Sequence, residues 1–428
     1  MMTWNVWFLP SNNSHAGKNL ALLRGLQGRG HRVSVLCLDR LHSPAHASLP
    51  QVEAGGLPFE ILDPGGFRWD KHWAIQGLRR GVLVRALKRF FMEHEVDVAI
   101  FGADSGIVSR TAGDVARSLG IPTALVVDGL VARRNPEYWR RRSLGLKLRD
   151  WFADLVIRRI LRAGGGGRTS GVDLLLVMSE LAREELILRG VSGERVRAVG
   201  SPEYDALARQ WRQWESEGRP NMIRERMSIA PDRPVIFFAH QDIGLDEEIM
   251  RRSVVGMVRA ARRVGGTLLM KLHPRGGARA DDWRGWARGE GFSDRDIVVY
   301  ANECTSIEAV AICSVCVTFY STVAVESMVF GKPVVLLIYH GFKEFLSAAD
   351  FRGGALDTHS PEEAENQLVR VLSDPATGRD LTRGVADYLR TQMFGLDGHS
   401  VDRSVDAIVK LVEKRPRAVR RQVERGIA

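Results

Sequence analysis

Residues 315–337 read "VCVTFYSTVAVESMVFGKPVVLL". Two apolar runs, Val315–Phe319 and Val334–Leu337, are rich in β-branched residues and carry almost no charge, the composition of strands buried on both faces. Between them Ser321 and Thr322 stand where a helix would begin, and Gly331 stands just past where it would end. The order predicts a strand, a tight turn with a polar tip, a helix and a second strand. In an open α/β sheet such a turn faces the edge where ligands bind. Two hydroxyls at the helix start, with the Glu326 carboxylate one turn later, therefore mark the segment as a binding site.

The same alternation runs along the chain. Strand-like runs fall at Trp4–Leu9, Arg32–Leu38, Asp97–Phe101, Thr123–Val127, Asp173–Met178 and Val196–Val199, separated by helical stretches such as Lys18–Gln27 and Gly106–Leu119. A polar, Trp-rich stretch from Arg209 to Arg233 follows, and the pattern restarts at Val235–Ala239, Thr267–Leu272, Ile297–Tyr300, Val315–Phe319 and Val334–Ile338. Alternating strands and helices predict parallel, doubly wound sheets, and 428 residues are too many for one compact core. The expected architecture is α/β, with two Rossmann-like domains facing a central crevice. Residues 1–205 form the first domain, 206–232 a linker, 233–400 the second domain, and 401–428 a helix returning to the first domain with a basic tail. The run Gly164–Gly167 lacks the Lys-Ser or Lys-Thr of a phosphate loop and reads as a flexible connection.

Composition narrows the function classes. Four cysteines (Cys37, Cys304, Cys313, Cys316) are too few for a disulfide framework and suit a reducing cytoplasm. The N-terminus does not read as a signal peptide, and no apolar run reaches the ~20 residues of a membrane span. The net charge of +10 is concentrated: residues 133–168 hold eleven Lys or Arg and three acids. Trp139, Leu144, Trp151, Leu155 and Val156 are interleaved among them, which makes a basic amphipathic insert. Such an insert suits an anionic membrane surface through residues 133–162, or forms an ordinary solvated helix face; nothing in it reads as a nucleic-acid motif. Cys313-x2-Cys316 lacks the second pair that a zinc site needs, and Asp294-Arg295-Asp296 precedes its strand at the wrong end for a crevice. No metal is expected as a cofactor.

Four segments together carry a family resemblance. Ser321-Thr322-x3-Glu326 followed by Gly331-Lys332-Pro333 looks like a glycosyltransferase of the GT-B fold. "DLLLVMSELAREELILRGVSGERVRAVGSPEYDAL" (173–207) resembles the closing strand–helix–strand of the first domain in bacterial surface-polysaccharide transferases. "LLMKLHPRG" (268–276) resembles the His-Pro motif of sialyl, capsule and CDP-glycerol glycerophosphate transferases, and "FGLDGHSVDRSVDAI" (394–408) resembles the start of their final helix. The resemblance covers most of the chain at the level of pattern. It implies transfer of a sugar from a nucleotide-sugar donor to a glycan or lipid-linked acceptor in cell-surface polysaccharide synthesis, by a cytoplasmic enzyme at the inner face of the membrane. A glycerophosphotransferase, a UDP-sugar 2-epimerase and a non-catalytic nucleotide-sugar-binding scaffold are the alternatives. The epimerase shares the two-domain fold and the Ser, Glu and Gly-Lys-Pro pattern, but a small soluble substrate gives it no use for a membrane surface.

Each candidate residue has a physical role. Free N–H groups and the dipole at a helix start favour an anion, so Ser321 and Thr322 are expected to hold the donor phosphates; the resemblance implies that Glu326 accepts from ribose hydroxyls. His273 stands where Pro274 ends a strand, and there, with Arg275, it would neutralise charge on the departing phosphate. His240 and Gln241 are expected to line the donor site. In the first domain, Asn12, Asn13, Ser14, His15 and Gly17 are expected in the loop after the first strand. His15 or Asp128 would take the acceptor proton, with Asp104 a third candidate. Each of these side chains also has a plain structural reading as a cap or a loop polar group.

Overall fold

The structure is a computed structural model that describes residues 2–41, 47–65, 73–103, 106–127, 131, 133–134, 145, 148, 171–241, 245–273, 279–301, 303–339 and 344–414. Two compact units divide the chain. One comprises Met1–Gly129, Arg142–Glu203 and Asp397–Ala428, the other Leu130–Arg141 and Tyr204–Leu396.

Among the described residues the first unit holds a seven-stranded sheet in the order β3-β2-β1-β4-β5-β7-β8. Its strands are β1 (Asn5–Leu9), β2 (Arg32–Cys37), β3 (Phe59–Ile61), β4 (Val98–Phe101), β5 (Thr123–Val126), β7 (Leu174–Val177) and β8 (Val196–Ala198). All of its pairings are parallel. The side chains of β4 and β7 are buried throughout, as all-apolar strands covered on both faces must be. The order reverses between β1 and β4, which are neighbours in the sheet although β2 and β3 intervene in sequence.

The helix Asn13–Gly28 packs against the C-terminal helix Ser400–Glu413. Gly25 permits their approach, since a Cβ there would lie 2.4 Å from Val401 Cγ1. Val405, Ile408 and Val412 enter the core of this unit, and their burial contributes on the order of 5 kcal/mol. Arg29 pairs with Asp406 at 3.0 Å beside this seam.

The second unit holds a six-stranded parallel sheet in the order β11-β10-β9-β12-β13-β15. Its strands are β9 (Val235–Ala239), β10 (Thr267–Lys271), β11 (Ile297–Tyr300), β12 (Val315–Thr318), β13 (Val334–Leu337) and β15 (Ala355–Thr358). A separate antiparallel pair joins β6 (Arg133–Arg134) to β14 (Glu344–Phe345). The order reverses between β9 and β12, so both sheets are doubly wound, as the alternating pattern predicts.

The segment 206–232, expected as a linker, instead folds as the helices Pro202–Ser216 and Arg219–Arg226. Its tryptophans explain why: the Trp211 ring packs 4.5 Å from Phe330, with the Lys332 ammonium 5.5 Å over it, and Arg219 lies 4.6 Å over Trp214. A polar sequence with Trp at such intervals buries one stripe against the second unit. Of the basic insert 133–168, only the backbone pairing of β6 and the isolated positions 145 and 148 lie within the described residues.

Candidate functional site

The segment 315–337 folds in the predicted order, and the helix spans Val323–Val329. It ends in a Schellman motif: Gly331 adopts φ +71°, its N–H donates to the Met328 carbonyl, and the Lys332 N–H donates to the Ser327 carbonyl, both at 2.9 Å. At the other end, Ser321 Oγ accepts from the Val323 N–H at 3.3 Å, and the Thr322 hydroxyl donates to Glu326 Oε1 at 3.3 Å. Ser321, Thr322 and Glu326 are therefore neighbours on one turn, all half-buried, at the carboxyl end of β12.

Gln241 ties this turn to the strand beside it. Its Oε1 accepts from the Thr318 hydroxyl at 3.4 Å and from the Tyr320 N–H at 3.3 Å. The bond crosses from the end of β9 to the end of β12, the point at which the strand order reverses. Carboxyl ends at such a reversal form the ligand crevice of open α/β sheets, because the helices there leave on opposite faces. His240 precedes Gln241; its backbone N–H donates to the Lys271 carbonyl at 3.0 Å, and its ring is buried against Phe238 and Trp283. His273 is the first residue past the β10 ladder, since the Leu272 N–H still donates to the Tyr300 carbonyl at 2.9 Å, and its side chain is exposed.

Sequence reasoning takes Lys271 only as part of the His-Pro motif, with no role of its own, and misses Tyr320. The Lys271 ammonium is buried and donates to the Ala301 carbonyl at 2.5 Å. Burial pushes its pKa down, against the opposing pull of Cys304 and Glu303. A lysine inside an apolar run reads as a strand end, so periodicity gave no signal of an interior charge. Tyr320 is exposed between two buried or half-buried neighbours, and only its place at the tip of the turn signals a contact surface.

In the first unit, only Asn12 of the expected loop residues lies outside the helix. Asn13, Ser14, His15 and Gly17 form the first turns of Asn13–Gly28, which begins five residues before the expected start at Lys18. The reason is the Asn12 cap: its Oδ1 accepts from the His15 N–H at 2.9 Å. His15 Nδ1 and Ser11 Oγ share a hydrogen bond of 2.7 Å, and the Asn19 amide donates to the His15 carbonyl at 2.9 Å. The imidazole lies against Gly102, at the end of β4, where a Cβ would be 2.8 Å from His15 Cβ. His15 thus stands at the strand-order reversal of its own sheet, between the ends of β1 and β4. Gly102 could have been found from the Phe101-Gly102 step at a strand end. Asp104, Asp128, Pro274 and Arg275 lie outside the described residues.

Among the described residues, no group of three or more His, Cys, Asp or Glu is arranged to hold a metal ion. All four cysteines are buried, and burial pushes the Cys304 thiol to about 11 and the Cys313 thiol to about 12. Among the described residues, no helix is long and apolar enough to cross a membrane. Asp296 accepts from Arg262 at 2.8 and 2.9 Å, before β11 begins.

Two doubly wound sheets, each with a polar cluster at its reversal point, define the GT-B class, and known structures of that class superpose on the chain. The UDP-GlcNAc 2-epimerase of Neisseria meningitidis, solved bound to UDP-GlcNAc, aligns with a TM-score of 0.62 at 11% identity, covering 96% of this chain and 100% of that one. The UDP-GlcNAc 2-epimerase of Methanocaldococcus jannaschii, in complex with UDP-GlcNAc and UDP, gives 0.60 at 14% identity, with 95% and 99% covered. The calicheamicin glycosyltransferase CalG4 gives 0.55 at 14% identity, with 96% and 99% covered. At these identities the likeness is one of fold. No curated protein matches the sequence. The sequence pattern of the UDP-N-acetylglucosamine 2-epimerase family matches residues 169–390, just over half of the 428, and the chain belongs to that family.

Proposed function

We propose that the protein is an enzyme acting on a nucleotide-activated sugar, as a UDP-sugar 2-epimerase. The observation that carries this reading is the family match over residues 169–390, which spans Gln241, Ser321, Thr322 and Glu326 at one strand-order reversal. In this reading the Ser321–Thr322 turn holds the donor phosphates, and Glu326, oriented by Thr322, accepts from the ribose hydroxyls. His240 and Gln241 line the same edge. His273, with Pro274 and Arg275 following it, donates to the phosphate as charge grows there. His15 or Asp128 moves the proton at the sugar, with no metal required.

A second reading, glycosyl transfer to a glycan or lipid-linked acceptor at the inner face of the membrane, is favoured by one observation. The eleven cations among residues 133–168 suit an anionic surface that an epimerase does not need.

One experiment separates them. Inversion at C2 of a sugar by removal and return of a proton exchanges that hydrogen with solvent. UDP-N-acetylglucosamine incubated with the enzyme in deuterated water is expected to give the C2 epimer carrying deuterium at C2. A transferase would leave C2 unlabelled and release UDP when an acceptor is supplied. His273→Ala is expected to lower either turnover by on the order of a hundredfold. Undiminished turnover in that variant would remove His273 from the mechanism, and an unlabelled, unchanged sugar would sink the epimerase reading.

A further inference from the structure

Beside the sheet edge that carries His240 lies a pocket of about 300 Å3, between the start of the helix Glu247–Arg263 and the helix Ala280–Gly289. Its wall is aromatic. Trp283 and Trp286 meet edge to face with ring centres 5.1 Å apart, and Trp283 meets the buried His240 ring at 5.7 Å. Its rim is charged but balanced, with Glu247 and Asp282 set against Arg251 and Arg279. Arg251 is already engaged, donating to Glu247 at 2.6 Å with its guanidinium 5.8 Å from the Trp286 ring. Arg279 and Asp282 are exposed, and neither has a side-chain hydrogen bond or ion pair to another described residue.

These features select a ligand class. Among the described lining residues two carboxylates offset two guanidinium groups, so no net positive charge selects a phosphate. An indole wall needs a flat apolar face to lie against it. Asp282 and Arg279, neither of which has a side-chain partner among the described residues, suit groups that both donate and accept, as hydroxyls do. A pyranose ring meets all of these demands, because one face presents C–H groups and its edge presents hydroxyls. The volume admits one or two such rings.

We propose that this pocket binds a neutral saccharide beside the phosphate cradle of Ser321–Thr322, an edge the two share through Gln241. The pocket's helices follow β9 and β10 whereas the cradle follows β12, and Gln241 stands on the border, lining the pocket while accepting from the Tyr320 N–H at 3.3 Å. The inference does not depend on which reaction the enzyme performs.

The test uses the full chain labelled with 15N at the tryptophan indoles, with the signals of Trp283 and Trp286 assigned from Trp283→Phe and Trp286→Phe. Glucose, galactose, mannose, N-acetylglucosamine and cellobiose are titrated to millimolar concentration, with and without saturating UDP. Both indole signals are expected to move with at least one of these sugars and to move again when UDP is present. Arg279→Ala combined with Asp282→Ala, both at exposed positions, is expected to weaken that binding roughly tenfold while leaving the other indole signals in place. The proposal is overturned if neither signal responds to any sugar, if the double variant binds as the wild type does, or if UDP excludes the sugar. Failure here leaves UDP binding at Ser321 measurable in the same samples, so the two readings are judged separately.

Discussion

Replacing Gly102 with alanine tests whether its missing side chain is what lets His15 stand at the end of β4. A Cβ there would lie 2.8 Å from His15 Cβ, 3.1 Å from Cγ and 3.2 Å from Nδ1, and the first of these distances is shorter than carbon atoms tolerate. The ring must move, and it must give up its 2.7 Å hydrogen bond to Ser11. Overpacking costs about 1–3 kcal/mol and the hydrogen bond about 1 kcal/mol, so the first unit should lose about 2–4 kcal/mol. For a unit of this size that lowers its unfolding midpoint by roughly 4–16 °C. The assay is a double-mutant cycle read by thermal unfolding of this unit, reported by Trp4 and Trp7 buried in its sheet. His15→Ala keeps the closest atom and relieves only the ring contacts, whereas His15→Gly removes all three at a helix-propensity cost of about 1 kcal/mol. In the His15→Gly background the Gly102→Ala penalty is expected to shrink by about 1–3 kcal/mol. If the two changes add to within about 0.5 kcal/mol, the contact does not set the position of His15. Where His15 also acts on substrate, Gly102→Ala should lower turnover on the order of a hundredfold while leaving UDP affinity unchanged, since a displacement of about 1 Å has that effect.

Other consequences are as direct. UDP at a hundredfold excess over its dissociation constant should stabilise the wild type by about 2.7 kcal/mol, and Ser321→Ala or Glu326→Gln should reduce that shift; an equal shift in all three would place the nucleotide elsewhere. Hydrogen bonds from Arg262 hold the Asp296 carboxyl well below the usual carboxylate range. A depressed folded pKa gives stability that is present above pH ~4 and lost as the pH falls below it, so the deficit of Asp296→Asn relative to wild type should narrow between pH 7 and about pH 3 in urea titrations. With all four thiols buried and Cys37 raised to about 12, a disulfide reagent should label none in the native protein and four after unfolding; fast native labelling would contradict the packing of these strands. Neutralising Arg140, Arg141 and Arg142 is expected to reduce co-sedimentation with anionic liposomes, and no change would leave that segment a solvated surface.

Continuous apolar runs were legible because they have few other uses: β9, buried throughout, and β11, at the sheet edge, fall where the sequence reading puts them, residue for residue. Two other edge strands were not. Phe59–Ile61 is short and exposed, and Ala355–Thr358 contains Asp357, whose carboxylate accepts from the Ala348 N–H at 2.7 Å. Pairing with a neighbour makes such segments strands, and their own composition does not reveal it. The helix expected from Lys18 was placed five residues late because Asn12 was read as a loop residue although it caps. The site itself was half legible. Hydroxyls at a helix start and a histidine before proline are local signals. The reversal of strand order that brings Gln241 to Thr318 spans 77 residues and belongs to the sheet alone.

That division bears on the reaction. The family match begins at residue 169, so it covers the sheet bearing Gln241, Ser321 and Glu326 and leaves out His15, Gly102 and Asp128. Epimerases and transferases of one fold place the same demands on a nucleotide cradle, and they differ in the group that meets the sugar or its acceptor. A match confined to residues 169–390 therefore argues more strongly for the nucleotide sugar than for what is done to it. Substitution of His15 carries the remaining weight. If His15→Ala abolishes deuterium uptake at C2 while UDP still binds, the imidazole moves the proton at the sugar, and the first unit is an epimerase's. If uptake never occurs and His15→Ala abolishes UDP release that depends on an added glycan, the same imidazole deprotonates an acceptor, and the family's fold here serves transfer.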